Sequence, residues 1–211
     1  MPPKILSLQV GLPQTVDWHG QQVETGIFKS PVKGPVHLRT LNLDGDRQAD
    51  LTVHGGPDKA VYVYASEHYA YWRSELPEVD FPWGAFGENF TTAGLAEDTV
   101  HIGDRFQIGA AEVLAVQPRM PCYKLGVKFG RDDMVKRFLH SMRLGYYLRV
   151  LKEGQVSPVA VFVPLHRDEN EVKVLDIVRL YLHQYSDPPL LRRALSAKSL
   201  PAPWRHSLSP R

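Results

Sequence analysis

The sequence predicts a mainly β fold, a barrel or a sandwich with a few helices, followed by a small helical segment. Short runs rich in β-branched, aromatic and leucine residues recur along most of the chain. Turns containing Gly or Pro separate many of them, the pattern of a barrel or sandwich. Apolar residues at sustained helical spacing are confined to two internal stretches and to the region after residue 168.

The strand-like runs are Ile5 to Val10, Val23 to Phe28, Val36 to Leu41, Ala60 to Tyr64, Glu112 to Gln117, Tyr146 to Leu151 and Val159 to Val163. Leu43-Asp44-Gly45-Asp46 carries the Asp-Gly pair of a tight hairpin. Ile102-Gly103-Asp104 and Ile108-Gly109-Ala110 punctuate a second hairpin region. Ser66 is placed to cap a helix running from Glu67 to Leu76, which Pro77 stops. A second helix is expected over Arg131 to Ser141, with Asp132 and Asp133 in its first turn and Val135, Phe138, Leu139 and Met142 as its apolar stripe.

The character changes at Asp168-Glu169-Asn170-Glu171. Beyond it Val174, Ile177, Val178 and Tyr181 recur at helical spacing, Asp187-Pro188 reads as an N-cap followed by Pro at the first helical position, and Pro203-Trp204 begins a third helix. The expected organisation is a β domain over 1–168 and a helical appendage over 169–211. So short an appendage can hardly hold a core alone, so it should pack on the β domain or on a second subunit, which leaves a homodimer open.

Composition narrows the function classes. The 211 residues are 43% hydrophobic, ordinary for a globular protein, and the formal net charge is only +2. No acidic or basic half stands out, so neither a nucleic acid nor a membrane is an expected partner and any anion site must be local. A single cysteine excludes an internal disulfide, an iron–sulfur cluster and a multi-cysteine zinc site. The N-terminus does not read as a signal peptide and no window matches a transmembrane helix, so a reducing cytoplasm is the expected compartment.

Residues that suit chemistry fall in five places. Cys122 ends Gln117-Pro118-Arg119-Met120-Pro121-Cys122, where two prolines hold the backbone extended, and Arg119 and Lys124 favour its thiolate; a buried, inert cysteine fits the same facts. His54-Gly55-Gly56-Pro57-Asp58-Lys59 joins backbone amides able to turn toward an anion to a lysine and a histidine able to give a proton; a plain turn is the bland alternative. Lys29-Ser30 offers an ammonium and a hydroxyl to a phosphate, or is a solvated strand end. In Gly87-Glu88-Asn89-Phe90-Thr91-Thr92, Asn89 reads a heterocycle edge or caps a turn, and Phe81, Trp83 and Phe86 line a pocket or fill the core. Asp46 and Asp50 flank Arg47, which suits acid–base work or a structural ion pair.

The order of these motifs carries more than any one of them. Leu43-x-Gly45-Asp46-x-x-Ala49-Asp50, His54-Gly55-Gly56-x-Asp58-Lys59-Ala60, Gly87-Glu88-Asn89-Phe90, Ile102-Gly103-Asp104 and Gln117-Pro118-Arg119-x-Pro121-Cys122-Tyr123-Lys124-Leu125 together resemble the MOSC family, named for the C-terminal domain of molybdenum-cofactor sulfurases. Within it the chain is most similar to the stand-alone bacterial branch that resembles 6-N-hydroxylaminopurine reductase, over about residues 4–165. The tail is similar to the three-helix domain that follows in that branch.

The resemblance implies a β-barrel with a few peripheral helices that binds molybdenum cofactor (molybdopterin), with pyridoxal phosphate binding as an associated property. It implies Cys122 as thiolate ligand to molybdenum, Lys29 and Ser30 at the pterin phosphate and Asn89 on the cofactor. Arg47, His54, Gly55, Gly56, Lys59, Thr91 and Arg119 are assigned to cofactor binding beside them, and His54 and Asp58 also to catalysis with Cys122. The implied activity is detoxifying reduction of small N-hydroxylated bases or amines. The chain lacks a convincing dinucleotide or flavin motif, so electrons are expected from a separate reductase, an NADPH-dependent flavoprotein. Two alternatives stay open: a cofactor carrier or sulfur-transfer module working through Cys122 without turnover, and a binding domain whose pocket is vestigial.

Overall fold

The computed structural model of the protein describes residues 2–49, 55–182 and 187–209. Its strands in chain order are β1 (Lys4–Val10), β2 (Gln14–Trp18), β3 (Gln21–Thr25), β4 (Ser30–Pro31), β5 (Val36–Leu38), β6 (Val61–Ala65), β7 (Phe90–Ala93), β8 (Arg105–Ile108), β9 (Ala111–Pro118), β10 (Tyr146–Lys152), β11 (Gly154–Val156) and β12 (Phe162–His166). The helices are α1 (Tyr69–Glu75), α2 (Tyr123–Phe129), α3 (Met134–Ser141), α4 (Val174–Tyr181), α5 (Pro188–Ser196) and α6 (Ala202–Leu208).

One eight-stranded sheet runs in the order β12-β8-β9-β10-β6-β7-β1-β4. Its pairings are antiparallel except β6 with β7. The sheet curls until β1 meets the start of β12. The Ile5 amide donates to the Ala160 carbonyl and the Phe162 amide to the Pro3 carbonyl, each at 2.9 Å. This meeting covers edges that would otherwise present unpaired backbone groups, as in a barrel. The mainly β barrel read from the sequence is therefore the fold that forms.

Two apolar clusters stabilise it. Val61, Val63, Phe90, Val113, Leu148 and Phe162 fill the barrel interior. Tyr62, Tyr64, Trp72, Phe86, Leu125 and Phe138 pack outside it, with α1, α2 and α3. β6 reads Val-Tyr-Val-Tyr-Ala and is buried along its whole length, because its valines enter the first cluster and its tyrosines the second. Ile177, Leu180, Leu190, Ala194 and Trp204 of α4–α6 join the cluster that fills the barrel.

Local expectations met the structure unevenly. Most strand-like runs are strands within a few residues, but the last starts later than Val159, at Phe162. Ser66 does not cap a helix. It opens a 3-10 turn, Ser66–His68, that leads into α1, and its hydroxyl binds Glu67 at 3.2 Å. The Asp44-Gly45 turn closes with the Asp46 amide on the Leu43 carbonyl at 2.9 Å, yet it joins no two strands of the main sheet; it delivers Asp46 to the interior. Asp133 precedes α3 without capping it. Its carboxylate binds Arg131 at 3.0 Å and Arg137 at 2.6 Å, and these hydrogen bonds hold it well below the usual carboxylate range. Strand β2, which pairs with β3 as a hairpin, strands β7 and β11, and helix α2 were not read from the sequence.

Gly145 shows how tightly β10 enters the sheet. Its φ is +67°, and a Cβ there would stand 2.3 Å from the Val63 carbonyl oxygen and 2.6 Å from the Tyr62 ring. Left-handed strain and overpacking add up to about 3 kcal/mol. Gly145→Ala should therefore lower the melting temperature by about 6–12 °C in a chain of this size, measured by calorimetry. A change under about 2 °C would show that β10 tolerates the extra carbon.

Candidate functional site

A cleft opens where β3, β6, β9 and β10 bring their ends together. Its walls are Thr25 to Ile27 and Lys29, the segment Asp46 to Ala49, Lys59, Ala60 and Tyr62, Gly87 and Asn89, then Arg119, Met120, Cys122 and Lys124, and finally Tyr147. Met120 separates Arg119 from the Pro121-Cys122 step into α2, and Cys122 is the residue before that helix, with extended backbone. It is a free cysteine of intermediate burial.

Asp46 organises one wall. One carboxylate oxygen accepts from the Gly11 amide at 2.9 Å and pairs with the Lys29 ammonium; the other accepts from the Asn89 side-chain amide at 2.8 Å. The Lys29 and Asp46 side chains are 8% and 4% exposed, so this is a buried ion pair. Asn89 spends its remaining groups on backbone: its oxygen accepts from the Tyr62 amide at 3.0 Å and its nitrogen also reaches the Gln9 carbonyl at 3.3 Å.

Glu88 organises the loop before β7. Wholly buried, it accepts from Tyr69, from the Gly84 amide at 3.0 Å, from the Phe86 amide at 3.1 Å and from the Thr91 hydroxyl at 2.8 Å. Gly87 has φ +80°, and a Cβ there would meet the Ile27 side chain at 2.6 Å, so only glycine lets this loop touch the opposite cleft wall.

Arg119 is the buried cation of the cleft. It is 6% exposed, and its guanidinium donates to the Tyr62 hydroxyl at 3.2 Å while lying over the Tyr62 and Phe138 rings at 4.6 and 5.3 Å. Burial works against its charge, but Tyr62, Tyr147 and Cys122 outweigh that and hold it protonated more firmly than usual. No carboxylate among the described residues forms an ion pair with it. Burial raises Tyr62 far above an ordinary phenol and raises Tyr147 too, against the pull of Arg119. Burial lowers Lys59, with Asp58 and Cys122 opposing it.

The turn that presents Lys59 is held from several sides. Arg149 pairs with the Asp58 carboxylate, the Gln117 side chain donates to the Asp58 carbonyl at 2.7 Å, and Gln48 donates to the Lys59 carbonyl at 2.7 Å. Gln117 in turn accepts from the Trp204 indole of α6 at 2.7 Å.

The structure thus brings Lys29, Arg47, Lys59, Asn89, Arg119 and Cys122 into one cleft. It places Ser30 on exposed β4, Thr91 in the interior on Glu88, and Asp58 on Arg149, all outside the cleft wall. Gly55 and Gly56 lead into the 3-10 turn Pro57–Lys59 rather than into the wall. His54 and Asp50 lie outside the described residues. Phe81 and Phe86 are core, whereas Trp83 is 37% exposed. Tyr62, Tyr147 and the anchoring role of Asp46 were missed. A Tyr-Tyr pair in a strand tells only that one ring faces each way.

Among the described residues the cleft carries Lys29, Arg47, Lys59, Arg119 and Lys124 against a single carboxylate, Asp46. That excess suits an anionic ligand bearing phosphate. No group of three or more His, Cys, Asp or Glu able to hold a metal occurs among the described residues. A metal reaching Cys122 would therefore have to bring most of its ligands with it, and the residues present fit a cofactor that supplies its own soft donors. No helix among the described residues is long and apolar enough to cross a membrane.

Comparison with known proteins agrees with this arrangement. The family model of the MOSC domain matches residues 50–161. The chain is 45% identical over 203 residues to the uncharacterized protein YflK of Bacillus subtilis, covering 96% of this chain and 91% of that one. The crystal structure of YiiM from Geobacillus stearothermophilus is similar with a TM-score of 0.81 and 34% identity, covering 98% of this chain and 97% of that one. A protein of Gibberella moniliformis named Reductase is 35% identical over 164 residues, which are 76% of this chain and 29% of that protein.

Asp46→Asn would leave the buried Lys29 ammonium without its counter-ion and set two amide donors face to face at Asn89. Breaking one side of a buried pair costs about 3–5 kcal/mol. The variant should melt about 6–20 °C lower, and urea unfolding should report the same loss. Wild-type stability would mean that the pair is not what holds the wall.

Proposed function

The chain belongs to the MOSC-domain family, and from that premise we propose that it binds a molybdenum cofactor through Cys122 and reduces N-hydroxylated bases or amines. The observation that carries this reading is the meeting of Cys122 with Arg119, a buried cation that forms no ion pair with a carboxylate among the described residues. A soft thiol beside a buried positive charge suits an anionic, sulfur-rich metal centre. When bound, the cofactor supplies the electrons for cleavage of the N–O bond.

The protein's own residues then have separable tasks. Cys122 is the ligand. Arg47, Lys59 and Lys124 line the cleft and neutralise the cofactor's phosphate; Lys29, locked on Asp46, shapes the wall more than it supplies free charge. Buried Arg119 would balance the negative charge of the bound cofactor beside Cys122. The name of the fungal relative supports reduction in a protein that contains this domain, but the shared span is under a third of that protein. The chain offers no flavin or dinucleotide motif, so a separate electron donor, an NADPH-dependent flavoprotein, completes the system. The same cations suit pyridoxal phosphate, but that cofactor gives Cys122 no task.

Protein made in a cofactor-producing host should carry molybdenum near stoichiometry and, with a reductase donor, reduce 6-hydroxylaminopurine. Cys122→Ser should retain about a tenth of the molybdenum or less, because a hard hydroxyl replaces the soft ligand. Its melting temperature should stay within about 2 °C, since Cys122 is only partly buried and donates no cap hydrogen bond. Metal analysis, turnover and calorimetry check the three statements. A persulfide on Cys122 without molybdenum would turn the reading toward sulfur transfer.

A further inference from the structure

Reduction of an N-hydroxylated base consumes two electrons and two protons: R–NH–OH becomes R–NH2 and water. The departing oxygen leaves as water only if something protonates it as the N–O bond breaks. Among the described residues the cleft contains few groups able to do so. Asp46 is committed to Lys29, Asn89 and the Gly11 amide. The Tyr62 hydroxyl gives its proton to the Leu144 carbonyl at 2.9 Å and accepts from Arg119.

Tyr147 also takes a hydrogen bond from Arg119, but among the described residues no acceptor holds its own proton. It stands on β10 opposite Gln117 of β9, two residues before Arg119, and it lines the cleft with Cys122. Its ring lies 5.5 Å from the Tyr62 ring. The groups facing it are Arg119 from the end of β9, Cys122 from the start of α2 and Tyr62 from β6.

We infer that Tyr147 is the proton donor to the oxygen that leaves when the N–O bond is cleaved. The inference rests on the reductase reading. The O–H bond of Tyr147 breaks as the N–O bond breaks, the oxygen departs as water, and the electron pair comes from the cofactor, recharged by the flavoprotein donor. The amine nitrogen takes the second proton from solvent. The phenolate left behind faces the Arg119 guanidinium, which stabilises it until solvent returns the proton. Burial keeps Tyr147 protonated at neutral pH, so the donor is loaded under ordinary conditions. Lys59 is the competing donor. Its charge is needed against the bound anion, and an ammonium that gave up its proton would weaken that binding.

The test compares cofactor-loaded wild type, Tyr147→Phe, Lys59→Gln and a protein carrying difluorotyrosine at 147, all with a flavoprotein donor and 6-hydroxylaminopurine. Tyr147→Phe should lose about 100-fold or more in kcat, the scale of one general-acid step, with KM within about threefold. Its molybdenum content and the alkylation rate of Cys122 in the cofactor-free protein should match wild type. The wild-type kcat should fall at alkaline pH as Tyr147 ionises. Difluorotyrosine, a stronger acid, should keep turnover and move that fall to lower pH. A Tyr147→Phe protein within about twofold of wild-type kcat overturns the inference. So does loss of molybdenum or altered Cys122 alkylation in that variant, since Tyr147 would then hold the site rather than supply a proton. So does a profile whose alkaline fall survives Tyr147→Phe and disappears in Lys59→Gln. Molybdenum-loaded wild type that reduces no N-hydroxylated base overturns the reductase reading itself, and this inference with it.

Discussion

The cleft depends on one buried carboxylate. Asp46 accepts from the chain after β1, from the lysine before β4 and from the asparagine before β7, so a single acid draws three sequence-distant segments together. A buried acid contributes only when its partners are complete, and here the Lys29 ammonium and two amide donors complete it. The cost of desolvating this pair is offset only in that geometry. The wall therefore forms as a unit with the barrel rather than as a loop added to it.

That arrangement determines how charge is distributed. Lys29 is consumed by Asp46, which leaves no other acid among the described residues of the cleft to oppose Arg47, Arg119 and Lys124. Arg119 is the most telling of these, because aromatic rings rather than a carboxylate surround it. Cation–π contacts and the Tyr62 and Tyr147 hydroxyls compensate only part of the desolvation of a guanidinium. A site that keeps a buried positive charge in this condition is preorganised for a negative partner, and Cys122 is the group of this chain nearest to that role.

The barrel was legible because alternation and turn chemistry are local signals. Val61-Tyr62-Val63-Tyr64 declares a strand whatever surrounds it, and Gly109-Ala110 declares the turn between β8 and β9. The motif order pointed to the family and to Cys122. What stayed hidden was decided by tertiary contact. Phe90-Thr91-Thr92-Ala93 becomes β7 only because β1 and β6 flank it. α2 begins directly after a Pro-Cys step, where the prolines argued for an extended loop. Asn89 and Thr91 looked like ligand-binding groups because their side chains are polar, yet both are spent on buried acids, Asp46 and Glu88. Polarity marks a residue that needs a partner, not which partner it finds.

The C-terminal helices raise the same question for the cleft. Trp204 of α6 gives its indole proton to Gln117, and Gln117 gives its amide proton to the Asp58 carbonyl, both at 2.7 Å. Asp58 is the middle residue of the turn that sets Lys59 in the cleft wall. Gln117 also immediately precedes the Pro118-Arg119 step of the loop that carries Cys122. One buried amide thus ties α6 to two walls of the site. Its oxygen would be orphaned in the interior without the indole, so the helices complete a polar network that the barrel begins. A helical tail that served only to cover apolar surface would need no such bond. Its presence argues that α6 and the cleft are parts of one assembly, and that the orientation of Lys59 toward Cys122 is set in part from the far end of the chain.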